Sequence, residues 1–315
     1  MKLLAFYIIG HGSGYGHMYR SKELLRRARE LGHRTEAACN NHNTRYYVAD
    51  WDDKDNIEYA LADYRPDWIL VDLPVNIKWI KDMAHSFGAQ ICLLNPVGLT
   101  TREEEYAHAD VVWRQDSPQT IILRPEFINA EHYAHDAREW FVFGGAEDLL
   151  DIGNAFAKAM PDKTAWIVQT SLTIPSYMPS NKHRIVAPET NSILTYMQRS
   201  DKACLHCGVS AWETAAAGLP AYLFSNDEDH LATAKKMQDM GLVLAWDDIG
   251  LPDKKNIREF LSIPFKPNGE RPDGKAADRL LEILVSTPNG LTATKNTTAA
   301  DYVAQKPAGG CEGCD

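Results

Sequence analysis

The 315-residue sequence has no apolar run approaching the roughly 18 residues that a membrane-spanning helix needs, and its six cysteines are too sparse for a disulfide scaffold. It has no excess of basic charge: 33 Lys and Arg stand against 43 Asp and Glu, a formal net charge of −10. That excludes a protein that coats nucleic acid as the first reading, because neutralising phosphates takes clustered cations. Residues 1–9 are apolar apart from Lys2, yet they run into Gly10-His11-Gly12 without a small-residue cleavage site. They read as a buried strand rather than a secretory signal, and a cytoplasmic setting is the expectation. What is present is ordinary for a globular protein, 44% hydrophobic and 24% charged residues, at a length that suits about two domains.

Strand-like and helix-like stretches alternate along the chain, the pattern of parallel sheets covered by helices on both faces. In the first half it predicts strands at 3–9, 34–39, 68–71, 90–94, 111–112 and 121–123, with helices at 19–31, 43–50, 57–63 and 76–87. In the second half it predicts strands at 140–143, 165–169, 184–187, 202–206, 220–224 and 242–245. Helices are expected there near 148–160, 189–199, 210–217, 229–240 and 275–286. The fold class is therefore α/β, two Rossmann-like domains facing across a cleft, at 1–135 and 136–286, with a hinge in the polar stretch 129–138. Residues 287–315 are rich in Thr, Ala, Gly, Asn and Pro and cannot offset their ordering entropy by burial, so a flexible tail is expected. Ligands of such sheets sit at the carboxyl ends of strands, which directs attention to the loops 10–17, 144–147 and 207–213.

The first of these loops reads Gly10-His11-Gly12-Ser13-Gly14-Tyr15-Gly16-His17. Glycines between a strand and a helix let a ligand approach the backbone, and the helix start favours an anion. Neither the Gly-x-Gly-x-x-Gly spacing nor a Gly-Lys-Ser/Thr is present, which disfavours conventional dinucleotide or ATP binding. His17 and His11 are the groups of this loop that titrate near neutrality, as a general base must; a helix-capping or pocket-filling role is the alternative for His17. The third loop leads into Ser210-Ala211-Trp212-Glu213. Ser210 can cap a helix whose free N–H groups donate to a phosphate, and Glu213 in its first turn can accept hydrogen bonds from two ribose hydroxyls. Ser210-x-x-Glu213 equally satisfies a capping box.

Taken in order, Gly14-Tyr15-Gly16-His17-Met18-Tyr19-Arg20, Leu123-Arg124-Pro125-Glu126-Phe127, Phe143-Gly144-Gly145-Ala146-Glu147-Asp148 and Ser210 through Pro220 resemble one family. It is that of the UDP-sugar hydrolases of the pseudaminic acid pathway, relatives of the GT-B glycosyltransferase that adds GlcNAc to the lipid-linked peptidoglycan precursor. The resemblance covers about residues 1–250. It implies a GT-B fold with a UDP-sugar held mainly by the second domain. His17 would activate water at the anomeric carbon, releasing UDP with inversion. Gly14 and Gly16 would line the first loop, Gly144 and Gly145 would border the diphosphate, Ser210 would start the phosphate-binding helix and Glu213 would hold the ribose. No cofactor and no metal are implied. Departures fall on the sugar side: Asp72-Leu73-Pro74 replaces Asp-His-Tyr, Leu94-Asn95-Pro96 replaces a Phe-Asp-Asp type sequence, and Asp229-His230 replaces Asn-Gln. Asp72, Asp229 and His230 are then the candidate sugar ligands, and the sugar or the acceptor differs from the family's. Beside hydrolysis stand transfer to an acceptor hydroxyl by an inverting glycosyltransferase and non-catalytic sensing of a nucleotide sugar.

Other features carry less. Cys204-x-x-Cys207 and Cys311-x-x-Cys314 have the ligand count of a zinc site, but residues three apart on a strand point to opposite faces. Glu103-Glu104-Glu105 reads as a solvated face, the eight tryptophans as core, and His206 as a satisfied strand-end histidine. Arg20 with Arg26, Arg27, Arg29 and Arg34 makes too modest a group to expect a nucleic-acid acceptor.

Overall fold

The computed structural model describes residues 1–9, 16–48, 51, 54–73, 78–95, 108–128, 130, 139–143, 151–168, 181–186 and 190–287. The first sheet is built from β1 (Lys2–Tyr7), β2 (Arg34–Cys39), β3 (Tyr46–Tyr47), β4 (Trp68–Asp72), β5 (Gln90–Asn95) and β6 (Val111–Arg114), covered by α1 (Gly16–Glu30), α2 (Lys54–Tyr64) and α3 (Lys78–Ser86). The second is built from β7 (Glu139–Phe143), β8 (Thr164–Val168), β9 (His183–Val186), β10 (Lys202–His206), β11 (Ala221–Ser225) and β12 (Leu244–Ile249). Its helices are α4 (Ile152–Ala159), α5 (Thr190–Gln198), α6 (Val209–Ala217), α7 (Glu228–Asp239) and α8 (Lys254–Ser262), and α9 (Ala276–Ser286) follows.

Both sheets are parallel and share one topology. The strand orders are β3-β2-β1-β4-β5-β6 and β12-β11-β10-β7-β8-β9, so each sheet is wound outward in both directions from a central pair, β1 with β4 and β7 with β10. Burial on both faces explains the near-continuous apolar strands: Leu4 and Phe6 of β1 enter one core, Leu3, Ala5 and Tyr7 the other. The central pair of such a sheet is where the crossover direction reverses, and a crevice opens there at the carboxyl ends of the strands.

Most predicted elements are found within a few residues. The exceptions have causes in pairing and packing. The stretch expected as a helix at 43–50 instead gives β3, because Tyr46 and Tyr47 pair with Ala38 and Cys39 after a turn at Asn41 to Thr44. The stretch expected as a strand at 121–123 is a strap between the units: Ile121, Leu123 and Phe127 pack into the second core while Ile122 packs into the first. Its amide at Ile122 is met by the Gln115 side chain at 3.2 Å rather than by a neighbouring strand. Helix α8 carries no sequence expectation; Asp253 caps it and Ile257, Phe260 and Leu261 are its buried face. Helix α9 follows the second sheet in the chain but packs on the first, with Ala277, Leu280, Leu281 and Leu284 joining the core of Leu24, Leu25 and Ala28. Arg27 of α1 bonds Asp278 of α9 at the rim of that contact. The expected hinge at 129–138, apart from Ala130, and the tail beyond Thr287 lie outside the described residues.

Candidate active site

The site begins at the central strand pair of the first sheet. Tyr7 ends β1 and is in register with Asp72, which ends β4. The chain returns from β1 into α1, whose first turn holds His17 and, three residues on, Arg20; that spacing puts both on one face of the helix, toward β4. Asp72 is fully buried. His17 Nδ1 lies 2.6 Å from its Oδ1, Arg20 Nη2 donates to the same oxygen at 2.8 Å, and Arg20 Nε donates to Oδ2 at 3.1 Å. Burial alone would raise the Asp72 carboxyl, but the charges and hydrogen bonds of Arg20 and His17 outweigh it and hold it at about 2. An ionised carboxylate only accepts, so Nδ1 carries the proton of neutral His17 and Nε2 presents a lone pair. The ring is almost buried, at 8% exposure.

Asp72, expected from its sequence position to be a sugar ligand, has no exposed surface and has both oxygens engaged by His17 and Arg20. Arg20 is the residue that sequence reasoning passed over. Its signal was the i, i+3 pairing with His17 on a helix that starts beside a strand-end acid.

The second unit offers the equivalent position, at the ends of β7 and β10. Gly208 is the N-cap of α6, with extended backbone and no side-chain cap, so Ser210 lies inside the first turn and the capping box expected from Ser210-x-x-Glu213 is not formed. Glu213 is two residues further into the helix than expected, past its first turn, and is buried, at 3% exposure. Burial pushes its carboxyl up to about 7 against the pull of Arg124, whose Nε donates to Glu213 Oε1 at 2.8 Å. The two central crevices face each other. Gly16, the first residue of α1, approaches the Val209 side chain at the start of α6 so closely that a Cβ there would lie 2.9 Å from Val209 Cγ2. Two helix starts, with their free N–H groups, converge at the boundary between the units.

Beside α6, His206 ends β10 and is buried; its Nε2 lies 2.6 Å from Asn226 Oδ1, and burial pushes it down to about 4, so it stays neutral and satisfied, as its strand-end position suggested. Its ring sits 4.7 Å from that of His230. His230 Nδ1 contacts both oxygens of Asp227, at 2.8 and 2.7 Å, while Asp227 caps α7 through the His230 amide. Asp229 lies in the first turn of the same helix. Cys204 and Cys207 are buried thiols pushed up by that burial. No group of three or more potential metal-ligating side chains occurs among the described residues. Gly14, Gly144 and Gly145, with Cys311 and Cys314, lie outside the described residues.

No family model matches the chain. The spore coat polysaccharide biosynthesis protein SpsG of Bacillus subtilis (strain 168) is 30% identical over 198 residues, which cover 54% of this chain and 57% of that protein, little more than half its length. Among solved structures, UDP-GlcNAc 2-epimerase of Methanocaldococcus jannaschii in complex with UDP-GlcNAc and UDP has a TM-score of 0.63 at 12% identity, covering 91% of this chain and 100% of that one. Spinosyn forosaminyltransferase SpnP has a TM-score of 0.61 at 12% identity, over 92% and 96% of the two chains. MurG of Acinetobacter baumannii has a TM-score of 0.58 at 12% identity, over 91% and 100%. No helix among the described residues is long and apolar enough to cross a membrane. Two parallel six-stranded sheets of identical winding, facing across their central strand ends, give this chain the GT-B fold.

Proposed function

We propose that the chain acts on a nucleotide sugar, with UDP as the carrier, and moves the sugar with inversion onto an acceptor hydroxyl deprotonated by His17. The observation that carries this reading is the Asp72–His17 pair, buried at one central crevice with the start of α6 opposite it. Asp72 fixes the tautomer, so Nε2 is the atom that takes the acceptor proton. The acceptor oxygen then forms its bond to the anomeric carbon from the face opposite the diphosphate. The electron pair of the breaking C–O bond leaves with UDP, and the N–H groups at the start of α6 meet the charge that develops there. The family resemblance assigns Gly14 and Gly16 to the first loop, and Gly144, Gly145 and Ser210 to the border of the diphosphate. Glu213 takes the ribose hydroxyls, and Asp229 and His230 stand toward the sugar.

Release of the sugar to water uses the same base and the same donor site. Transfer is the better-supported reading, because a forosaminyltransferase shares the fold and the relative matched in sequence is named for polysaccharide biosynthesis. The epimerase that shares the fold holds UDP-GlcNAc and UDP, which supports the choice of carrier. The test is to incubate the protein with UDP-sugars, with and without candidate acceptor glycosides, and to measure free UDP. Acceptor-dependent release that disappears in His17→Ala is the expected result. His17-dependent release without acceptor would make the enzyme a hydrolase, and tight binding without turnover would make it a sensor.

A further inference from the structure

Arg124, on the strap, touches both units at the site, Tyr19 of the first and Glu213 of the second. Its charge is buried, at 7% exposure. On one edge Nε donates to Glu213 Oε1 and Nη2 lies 2.8 Å from the same oxygen. Two aromatic rings lie against the guanidinium, Tyr19 of α1 at 4.3 Å and Phe127 of the strap at 4.4 Å. The nearer of these to the chemistry is Tyr19, two residues after His17. A second carboxylate, Glu126, lies 3.9 Å from Nε and is more exposed. Nη1 is buried and has no hydrogen-bond partner among the described residues.

A buried ion pair adds little net stability over a well-packed apolar pair, so its physical effect is to fix direction and charge. Both guanidinium contacts fall on Oε1, which leaves Oε2 for another donor. A flat guanidinium packed against two rings is restrained, and it restrains the carboxylate bonded to it. Resting on the reading of Glu213 as the ribose ligand, we propose that Arg124 is the positioning residue of that contact. It holds Glu213 with Oε2 presented to the vicinal hydroxyls, and through Tyr19 it ties the ribose contact to the helix that bears His17.

The experiment compares the calorimetric affinities of UDP and 2′-deoxy-UDP, a pair whose phosphate contributions cancel in the ratio. The wild-type protein is expected to prefer UDP by about tenfold or more, the worth of a hydrogen bond to a charged group. Arg124→Gln is expected to bring the two affinities within about twofold, and Arg124→Lys, which keeps the charge without the fork, to retain part of the preference. Tyr19→Leu, which removes one of the two rings, is expected to lose part of the preference and to lower kcat more than it raises KM. If Arg124 merely held the units together, Arg124→Gln would weaken both nucleotides alike and keep the wild-type preference, which would overturn the proposal and leave the ribose reading standing. A wild-type protein that binds both nucleotides equally would sink the ribose reading and this proposal with it. Should Arg124→Gln not fold, an Arg124→Lys preference equal to wild type, or a Tyr19→Leu kcat that is unchanged, is the overturning result.

Discussion

Asp72 concentrates the residue-scale physics of the site. Its carboxyl sits at about 2 in the folded chain, below the ordinary 3.8, because Arg20 and His17 favour the charge more than burial opposes it. A depressed folded value means stabilisation that is present above about pH 4 and lost as the pH falls through about 2, of magnitude about 2 kcal/mol. Acid titration of unfolding free energy should therefore show a slope in that window that Asp72→Asn removes. The same variant leaves Arg20 buried without its counter-charge and should cost about 3–5 kcal/mol in urea unfolding. In protein that remains folded, it frees His17 to adopt the wrong tautomer, and kcat should fall by between about a hundredfold and ten-thousandfold with little change in nucleotide affinity. Glu213→Ala should show the opposite split in steady-state kinetics. A ribose contact changes little between bound donor and transition state, so KM should rise with kcat nearly kept.

At the scale of elements, the site depends on how closely α1 and α6 approach. Gly16 is needed for contact rather than for a special backbone angle: an added methyl would meet Val209 Cγ2 at 2.9 Å, and a β-branched side chain at a helix start has little freedom to withdraw. Gly16→Ala should push the two helix starts apart by a few tenths of an ångström, lowering kcat by about tenfold or more because misplacement of this order disturbs the reacting geometry. Adding Val209→Ala should restore most of the loss, a coupling that a double-mutant cycle on kcat would measure. Elements were the most legible part of this sequence. Leu3 to Ile9, 68–71 and 203–205 are short apolar runs, as strands buried on both faces are. Where reading failed, the deciding contact was distant. Tyr46 and Tyr47 became a strand by pairing with Ala38 and Cys39, and Ile121 to Leu123 lost a strand's partners by lying between two cores.

Across the whole molecule, the described residues cross between the units at the strap and again at α9. The second crossing gives the first unit part of its core, since Leu280, Leu281 and Leu284 pack with Leu24, Leu25 and Ala28. Leu280→Ala should cost about 2–5 kcal/mol, as for any fully buried leucine. In native-state hydrogen exchange the loss of protection should appear in β1 and β4, which belong to the first sheet, although the substitution lies beyond the second sheet in sequence. Equal loss in β10 and β11 would contradict the packing described.

The sequence by itself determined the alternation of strands and helices in each half, the Gly-rich entry to α1 and the presence of a histidine where a strand meets that helix. These follow from local pattern, since periodicity and turn chemistry act over a few residues. Only the tertiary structure decided what the acids do. Asp72 and His17 are 55 positions apart and Arg124 and Glu213 are 89 apart, so neither pairing leaves a trace in local spacing. Whether a carboxylate faces a ligand or an arginine is set by which charges the fold buries beside it, and burial is a property of the assembled cores.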